Sequence, residues 1–157
     1  VDRIWKTLII LAIVVMFFLV ASRNSSDATI NKKIADDIRS WWGKDVKDAA
    51  RYYNVPEERI YAIIATESKG QERAIGSSHG ERGLGQFLKS TWEKLTGTNF
   101  DMAFDGRTNI FAIAKYISQL RSLHGDLDTA TGYYNASTLS RRITYLNRVR
   151  SNEVYFT

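Results

Sequence analysis

The feature that most narrows what this chain can become is an uncharged apolar run, LIILAIVVMFFLVA, over residues 8–21. Counted from Ile4 it is broken only by Lys6 and Thr7. At about 1.5 Å per residue, a helix over 4–21 reaches about 27 Å, close to the ~30 Å hydrocarbon core of a bilayer. The run is apolar on every face, which suits lipid better than a one-sided protein core. Trp5 and Lys6 fit the membrane interface. Arg3 and Lys6 before the span, against Arg23 after it, put the N-terminus in the cytoplasm and the remainder outside. A cleaved signal peptide is the rival reading, with Val20, Ala21 and Ser22 as a small-residue processing site. Either way the rest of the chain crosses a membrane. The reading divides the chain into an anchor over 4–21, a linker and leading helix over 22–44, and a folded domain over 45–157.

For the folded part, 157 residues allow one domain beside the anchor. One Pro and ten Gly are too few for the turns of a β-sandwich or barrel, so the fold class expected is all-α. No Cys and only His79 and His124 leave no disulfide, thiolate nucleophile or His-rich metal cluster, so neither metal nor cofactor is expected. A net charge of +5 favours anionic surfaces. No basic run accompanies it, and Arg141, Arg142, Arg148 and Arg150 read as a solvated helix face, so nucleic acid is not an expected partner.

Residues 22–27 (SRNSSD) read as a polar linker, residues 28–42 as a helix docked by Trp41 and Trp42, and residues 44–53 as another helix. Pro56 fits the first turn of the next helix, with Glu57 and Glu58 favoured by the helix dipole. Residues 70–85 hold five glycines and little apolar periodicity, which predicts a long loop. Ser90 and Glu93 have capping-box spacing around a helix carrying Trp92 and Leu95, stopped by Gly97. Ile110, Ile113, Ala114 and Ile117 share one face of a helix that Gly125 closes. Asp126 caps a helix through Tyr134, and Leu139, Ile143 and Leu146 mark a last one.

One residue breaks the pattern. Ile60, Ile63, Ile64 and Glu67 fall at i, i+3, i+4 and i+7, so a carboxylate continues an apolar stripe. Burial disfavours the ionised form, and a neutral carboxyl near pH 7 is what a general acid requires. The competing reading is a salt bridge from Glu67 to Arg73 or Arg82.

Glu67-Ser68, the segment from Ser77 to Gln86 (SSHGERGLGQ), and Tyr134-Asn135-Ala136 resemble, in order and spacing, three motifs of the soluble-type lytic transglycosylases of glycoside hydrolase family 23. The segment from Asp105 to Ile117 and the turn at 124–126 are similar to further parts of that family, and the resemblance spans about residues 45–147. Gly85, Tyr133 and Ser137 depart from its usual pattern. The resemblance implies a lysozyme-like helical domain, here behind a single N-terminal transmembrane helix. It implies cleavage of the β-1,4 bond between N-acetylmuramic acid and N-acetylglucosamine in peptidoglycan, leaving a 1,6-anhydro ring. It makes Glu67 the single acid and base, Ser68 and Gln86 polar supports of the cleft, and Tyr134 and Asn135 neighbours of the reacting sugar. Gly83 and Leu84 would offer backbone contacts to the glycan.

Ordinary glycosidases use two carboxyl groups. One suffices if the sugar's own 6-hydroxyl captures the intermediate and returns its proton to Glu67. A goose-type-like lysozyme would instead need a second carboxylate, from Glu72, Glu81, Asp101 or Asp105. A non-catalytic, membrane-tethered peptidoglycan-binding module is the alternative outside enzymes, and the presence of Glu67 argues against it. The expected partners are glycan strands and, through the N-terminal helix, the lipid bilayer. Small size and an anchor suit a local wall-opening device, in a virion or beside a secretion apparatus, with its domain on the periplasmic or cell-wall side.

Overall fold

The computed structural model describes residues 2–157, apart from the side chains of residues 2–8, 10 and 18. Among the described residues six α-helices and one 3-10 turn (Phe100–Phe104) form, and no strand beyond isolated bridges, as few Gly and Pro lead one to expect. The chain divides into two compact units, Val1–Lys33 and Ile34–Thr157.

The first unit is helical throughout its described backbone, as part of α1 (Asp2–Tyr53). It carries an apolar segment long enough to cross a membrane, with large side chains such as Met16, Phe17 and Leu19 exposed. The side chains of Arg3, Trp5 and Lys6, read as interface residues, lie outside the described ones. Residues 22–27 are helical rather than a linker. Ser26 and Thr29 donate their hydroxyls to the carbonyls of Ser22 and Ser25, one turn back, so this polar stretch satisfies itself within a helix.

In the second unit, α1 continues through Gly43 without the break expected between residues 42 and 44. Ala35, Ile38, Val46 and Ala49 are buried at helical spacing. Trp42 docks this part, donating Nε1–H to the Gly70 carbonyl at 3.2 Å. Trp41 does not share that role and stays 58% exposed. Asn54, at φ 52°, ends the helix in the left-handed region, and Pro56 caps α2 (Glu57–Glu67).

α2 packs its isoleucines against α6 (Leu139–Glu153) and α4 (Gly106–His124), and α5 (Leu127–Asn135) lies against α4 and α6. Ile60, Ile63, Ile64, Ile110, Ile113 and Ile117 are fully buried together. Gly97, Gly125 and Asp126 terminate or cap their helices as their positions predict. The capping box does not form. α3 (Lys89–Thr96) starts one residue before Ser90, with Leu88 as its cap, and Glu93 pairs with Lys89 one turn away. Trp92 is wholly buried in the core, with its indole N–H shared between the Thr98 hydroxyl and the Asn99 carbonyl.

Candidate active site

The end of α2 positions Glu67. Ser68, buried, donates its hydroxyl to the Ile64 carbonyl and accepts from the Gly70 N–H, closing the helix. Lys69 and Gly70 follow at positive φ and turn the chain sharply away. α6 clasps the same turn, where Asn152 donates to the Thr66 hydroxyl at 2.9 Å. Glu67 is therefore held by helix, turn and neighbour before its own side chain makes any contact.

That side chain is half-buried, and its Oε1 is closed off from solvent with no hydrogen-bond partner among the described residues. The Tyr145 hydroxyl is buried and unpartnered in the same way. The two groups act on each other's charge without meeting hydrogen-bond geometry. Burial raises the Glu67 carboxyl above its ordinary range, reinforced by the charge of Glu81 and opposed by Tyr145 and Arg148. The salt-bridge alternative has no support. Arg82 pairs with Asp101 and lies over the Phe100 ring, while Arg73 lies over Phe104.

The glycine-bearing loop is irregular but strongly tied. Arg82 pairs its backbone with Ile75 and Phe87, and the Gly76 N–H donates to the Glu81 carbonyl at 2.8 Å. Gln86, at φ 49°, donates its side-chain amide to the carbonyls of Ala74 and Gly83, so it fixes the loop while lining the cleft. Gly83, at φ +77°, has both backbone groups engaged within the loop, and a Cβ there would meet the Ala103 carbonyl oxygen at 2.0 Å. Leu84 has a fully buried side chain. Asn109 locks the arrangement from α4, accepting from the Gly85 N–H and donating to the Ala103 carbonyl, both at 2.8 Å.

A cleft of about 330 Å³ opens beside this loop, lined by Glu81, Gln86, Phe87, Tyr116, Tyr134 and Asn135 among others. Tyr134 donates its hydroxyl to the Gly85 carbonyl at 2.9 Å, not to Glu67. Its ring packs with Phe87, Tyr116 and Tyr145, so it is a core aromatic and a cleft wall at once. Burial, and next the charge of Glu67, push the Tyr134 phenol well up, so it remains an O–H donor. A Cβ on Gly85 would lie 2.5 Å from that hydroxyl, which is why this position has no larger side chain here. Asn135 is exposed at the cleft.

Of the candidate second carboxylates, three have structural partners elsewhere. Glu72 accepts from the Gly106 N–H at 2.7 Å, Asp105 caps α4 through Thr108, and Asp101, 80% exposed, pairs with Arg82. Glu81 alone among them lines the cleft. Its own backbone N–H, together with His79, holds its carboxyl below the usual range, so it stays ionised.

The structure thus gathers Gln86, Tyr134 and Asn135 at one cleft and does not place Glu67 among the residues that line it, though the charge of Glu67 is felt at the Tyr134 phenol. It places Ser68, Gly83 and Leu84 in the packing that supports this cleft. Tyr145 was not singled out from sequence, and Asn109 entered only as the Asn-Ile of the family-like segment from Asp105 to Ile117, with no role assigned. Tyr145 falls four residues before the buried Val149 on α6, a core position bearing a hydroxyl, and that is its only sequence signal.

Residues 45–153 match the family described as the Transglycosylase SLT domain. The fold is similar to that of lytic transglycosylase Slt from Pseudomonas aeruginosa, whose X-ray structure is of an inactive mutant with Gln in place of Glu. The TM-score is 0.59 at 21% identity, and the match covers 71% of this chain but 23% of that one.

Proposed function

The chain belongs to the family of the Transglycosylase SLT domain, and from this membership and the cleft geometry we propose that it is a peptidoglycan lytic transglycosylase. The observation that carries the reading is Glu67, a half-buried carboxyl with one buried, unpartnered oxygen and a raised pKa at the end of α2. Neutral Glu67 donates its proton to the oxygen between N-acetylmuramic acid and N-acetylglucosamine as that C–O bond breaks. The muramic residue's 6-hydroxyl then bonds to its own anomeric carbon, and its proton passes to the Glu67 carboxylate. The acid is regenerated, no water is consumed, and the product ends in a 1,6-anhydro ring. The unpartnered Tyr145 hydroxyl is the donor we assign to the carboxylate in its ionised interval, reached by a small shift of either side chain, while Gln86 and Asn135 offer polar groups to the sugar.

Glu81 supports a second reading. An ionised carboxylate at the cleft could activate water, making the protein a goose-type-like lysozyme with reducing-end products. Mass spectrometry of fragments released from peptidoglycan separates the readings, with anhydro ends expected.

The proposal extends to placement. The helix over residues 4–21 anchors the chain in a bilayer, with the domain on the periplasmic or cell-wall side for local wall opening. Membrane partitioning of the full chain, with its body accessible to protease added outside, is the expected outcome; full-length soluble protein would overturn it.

A further inference from the structure

Tyr133 and Tyr134 are neighbours in the chain and serve different places. Tyr134 walls the cleft, whereas Tyr133 lines a separate pocket of about 280 Å³ formed by the end of α4, α5 and α6. Tyr133 is also one of the positions that depart from the usual family pattern, so the shared chemistry does not account for this pocket. The His124 imidazole stacks on the Tyr133 ring, with centroids 3.7 Å apart and planes 4° from parallel. Arg142 Cζ lies 3.9 Å from the same centroid, a distance that only the opposite face of the ring can accommodate. Gly132 permits this stack. A Cβ there would stand 3.0 Å from the Cβ of Arg142, so the glycine lets α6 approach α5.

Stacking leaves the edge of the Arg142 guanidinium free, and among the described residues no hydrogen bond or ion pair takes it. Asp128, the acid of the same pocket, is already paired with Arg59 and Arg150. Next to the stack, Leu139, Ile143 and Leu146 fall at i, i+4 and i+7 of α6, on a different face from the buried Tyr145 and Val149. Leu139 and Ile143 are 65% and 51% exposed. Helix α6 thus has one apolar stripe in the core and a second at the surface, beside an arginine held in place with its donors unused.

We propose that this pocket docks an acidic amphipathic helix of a partner protein, with apolar side chains along Leu139, Ile143 and Leu146 and a carboxylate on Arg142. The stripe covers two helical turns, the spacing at which a facing helix presents its own i, i+4 and i+7 anchors. A stacked guanidinium is pre-oriented, and its planar fork matches a carboxylate bidentately. An anionic bilayer fits less well. It calls for apolar groups ringed by cations on a lipid-facing surface, whereas here they wall a pocket that also holds Asp128.

The test uses the full chain in phosphatidylcholine nanodiscs and follows the methyl signals of Leu139, Ile143 and Leu146 by NMR. The probes are a synthetic amphipathic helix of leucine and glutamate and its counterpart with glutamine for glutamate. The glutamate peptide is expected to shift all three residues and to bind about tenfold more weakly to Arg142→Gln, while the glutamine peptide binds both proteins alike. Ile143→Ser, a change at an exposed position, is expected to weaken both peptides. An N-acetylglucosamine tetramer, which addresses the cleft, is expected to displace neither. The inference is overturned if the glutamate peptide leaves the signals unmoved or binds Arg142→Gln as tightly as wild type. It is also overturned if phosphatidylglycerol nanodiscs move the signals without peptide, which assigns the surface to the bilayer, or if the tetramer displaces the peptide, which assigns it to glycan.

Discussion

Helix α2 carries an ionisable side chain with buried polar atoms near each end, and the surrounding chain treats the two in opposite ways. Arg59, near the start, is 5% exposed and fully engaged. It donates to Glu153 at 2.8 Å, to the Thr131 hydroxyl at 2.6 Å and to Asp128 at 3.0 Å, tying α2 to α5 and α6. Glu67, at the other end, keeps a buried oxygen without a partner beside a tyrosine hydroxyl in the same condition. Removing one partner of a buried ion pair is costly, and a buried polar atom left without a partner costs stability and marks a candidate functional group. The contrast sets a satisfied ion-pair network at one end of the helix against an unsatisfied carboxyl at the other, the group to which we assign the chemistry.

The largest break in this contrast comes from Arg59→Met. It strands Glu153 beside an emptied site, while Asp128 keeps its pair with Arg150, and chemical denaturation is expected to show a loss of about 3 kcal/mol, with the remaining folded protein turning over normally. Gly83→Ala comes next. Its Cβ collides with the Ala103 carbonyl at positive φ, so about 1–3 kcal/mol of stability is lost. Turnover falls with it, because the loop supports the cleft.

Paired tyrosine variants sharpen the comparison on a smaller scale. Tyr134→Phe leaves the Gly85 carbonyl without its donor and is expected to lower stability by about 1 kcal/mol. Tyr145→Phe removes a hydroxyl that has no partner, so its melting temperature is expected to hold while turnover drops. Loss of stability in Tyr145→Phe without loss of turnover would move that residue to the structural side.

The smallest effect is a pH dependence. The folded Glu67 carboxyl binds its proton more tightly than the unfolded one, so its contribution is present at low pH and lost as pH rises through the raised pKa. Glu67→Gln cannot ionise. Its melting temperature is expected to match wild type near about pH 4 and to exceed it increasingly toward neutrality. A gap that closes as pH rises would show the carboxylate to be stabilised rather than strained.

Much of this contrast was legible in the sequence, but only at one end. The 3.6-residue period exposed Glu67 because it interrupts an isoleucine stripe, and Gly97, Gly125 and Asp126 marked their boundaries through local backbone chemistry. Arg59 gave no such signal. It precedes Ile60 as an ordinary polar residue, and its partners lie about 70 to 95 positions away on α5 and α6. Tyr145 and the locking role of Asn109 were hidden for the same reason, since both depend on what tertiary packing sets opposite them. The capping box at Ser90 was misleading because α3 begins one residue earlier. Lys89 then takes Glu93, and no side-chain cap forms.

The central claim is that Glu67 moves protons at the cleft and contributes nothing essential to the fold. Release of anhydro-ended fragments and thermal stability, both measured on full-length Glu67→Gln beside wild type, test it most directly. The amide keeps the size of the side chain but cannot give up a proton, so release is expected to fall by about 10²–10⁴-fold. The melting temperature at neutral pH is expected to be equal or higher. Undiminished release, together with a lowered melting temperature, would contradict the account and return Glu67 to the structural residues.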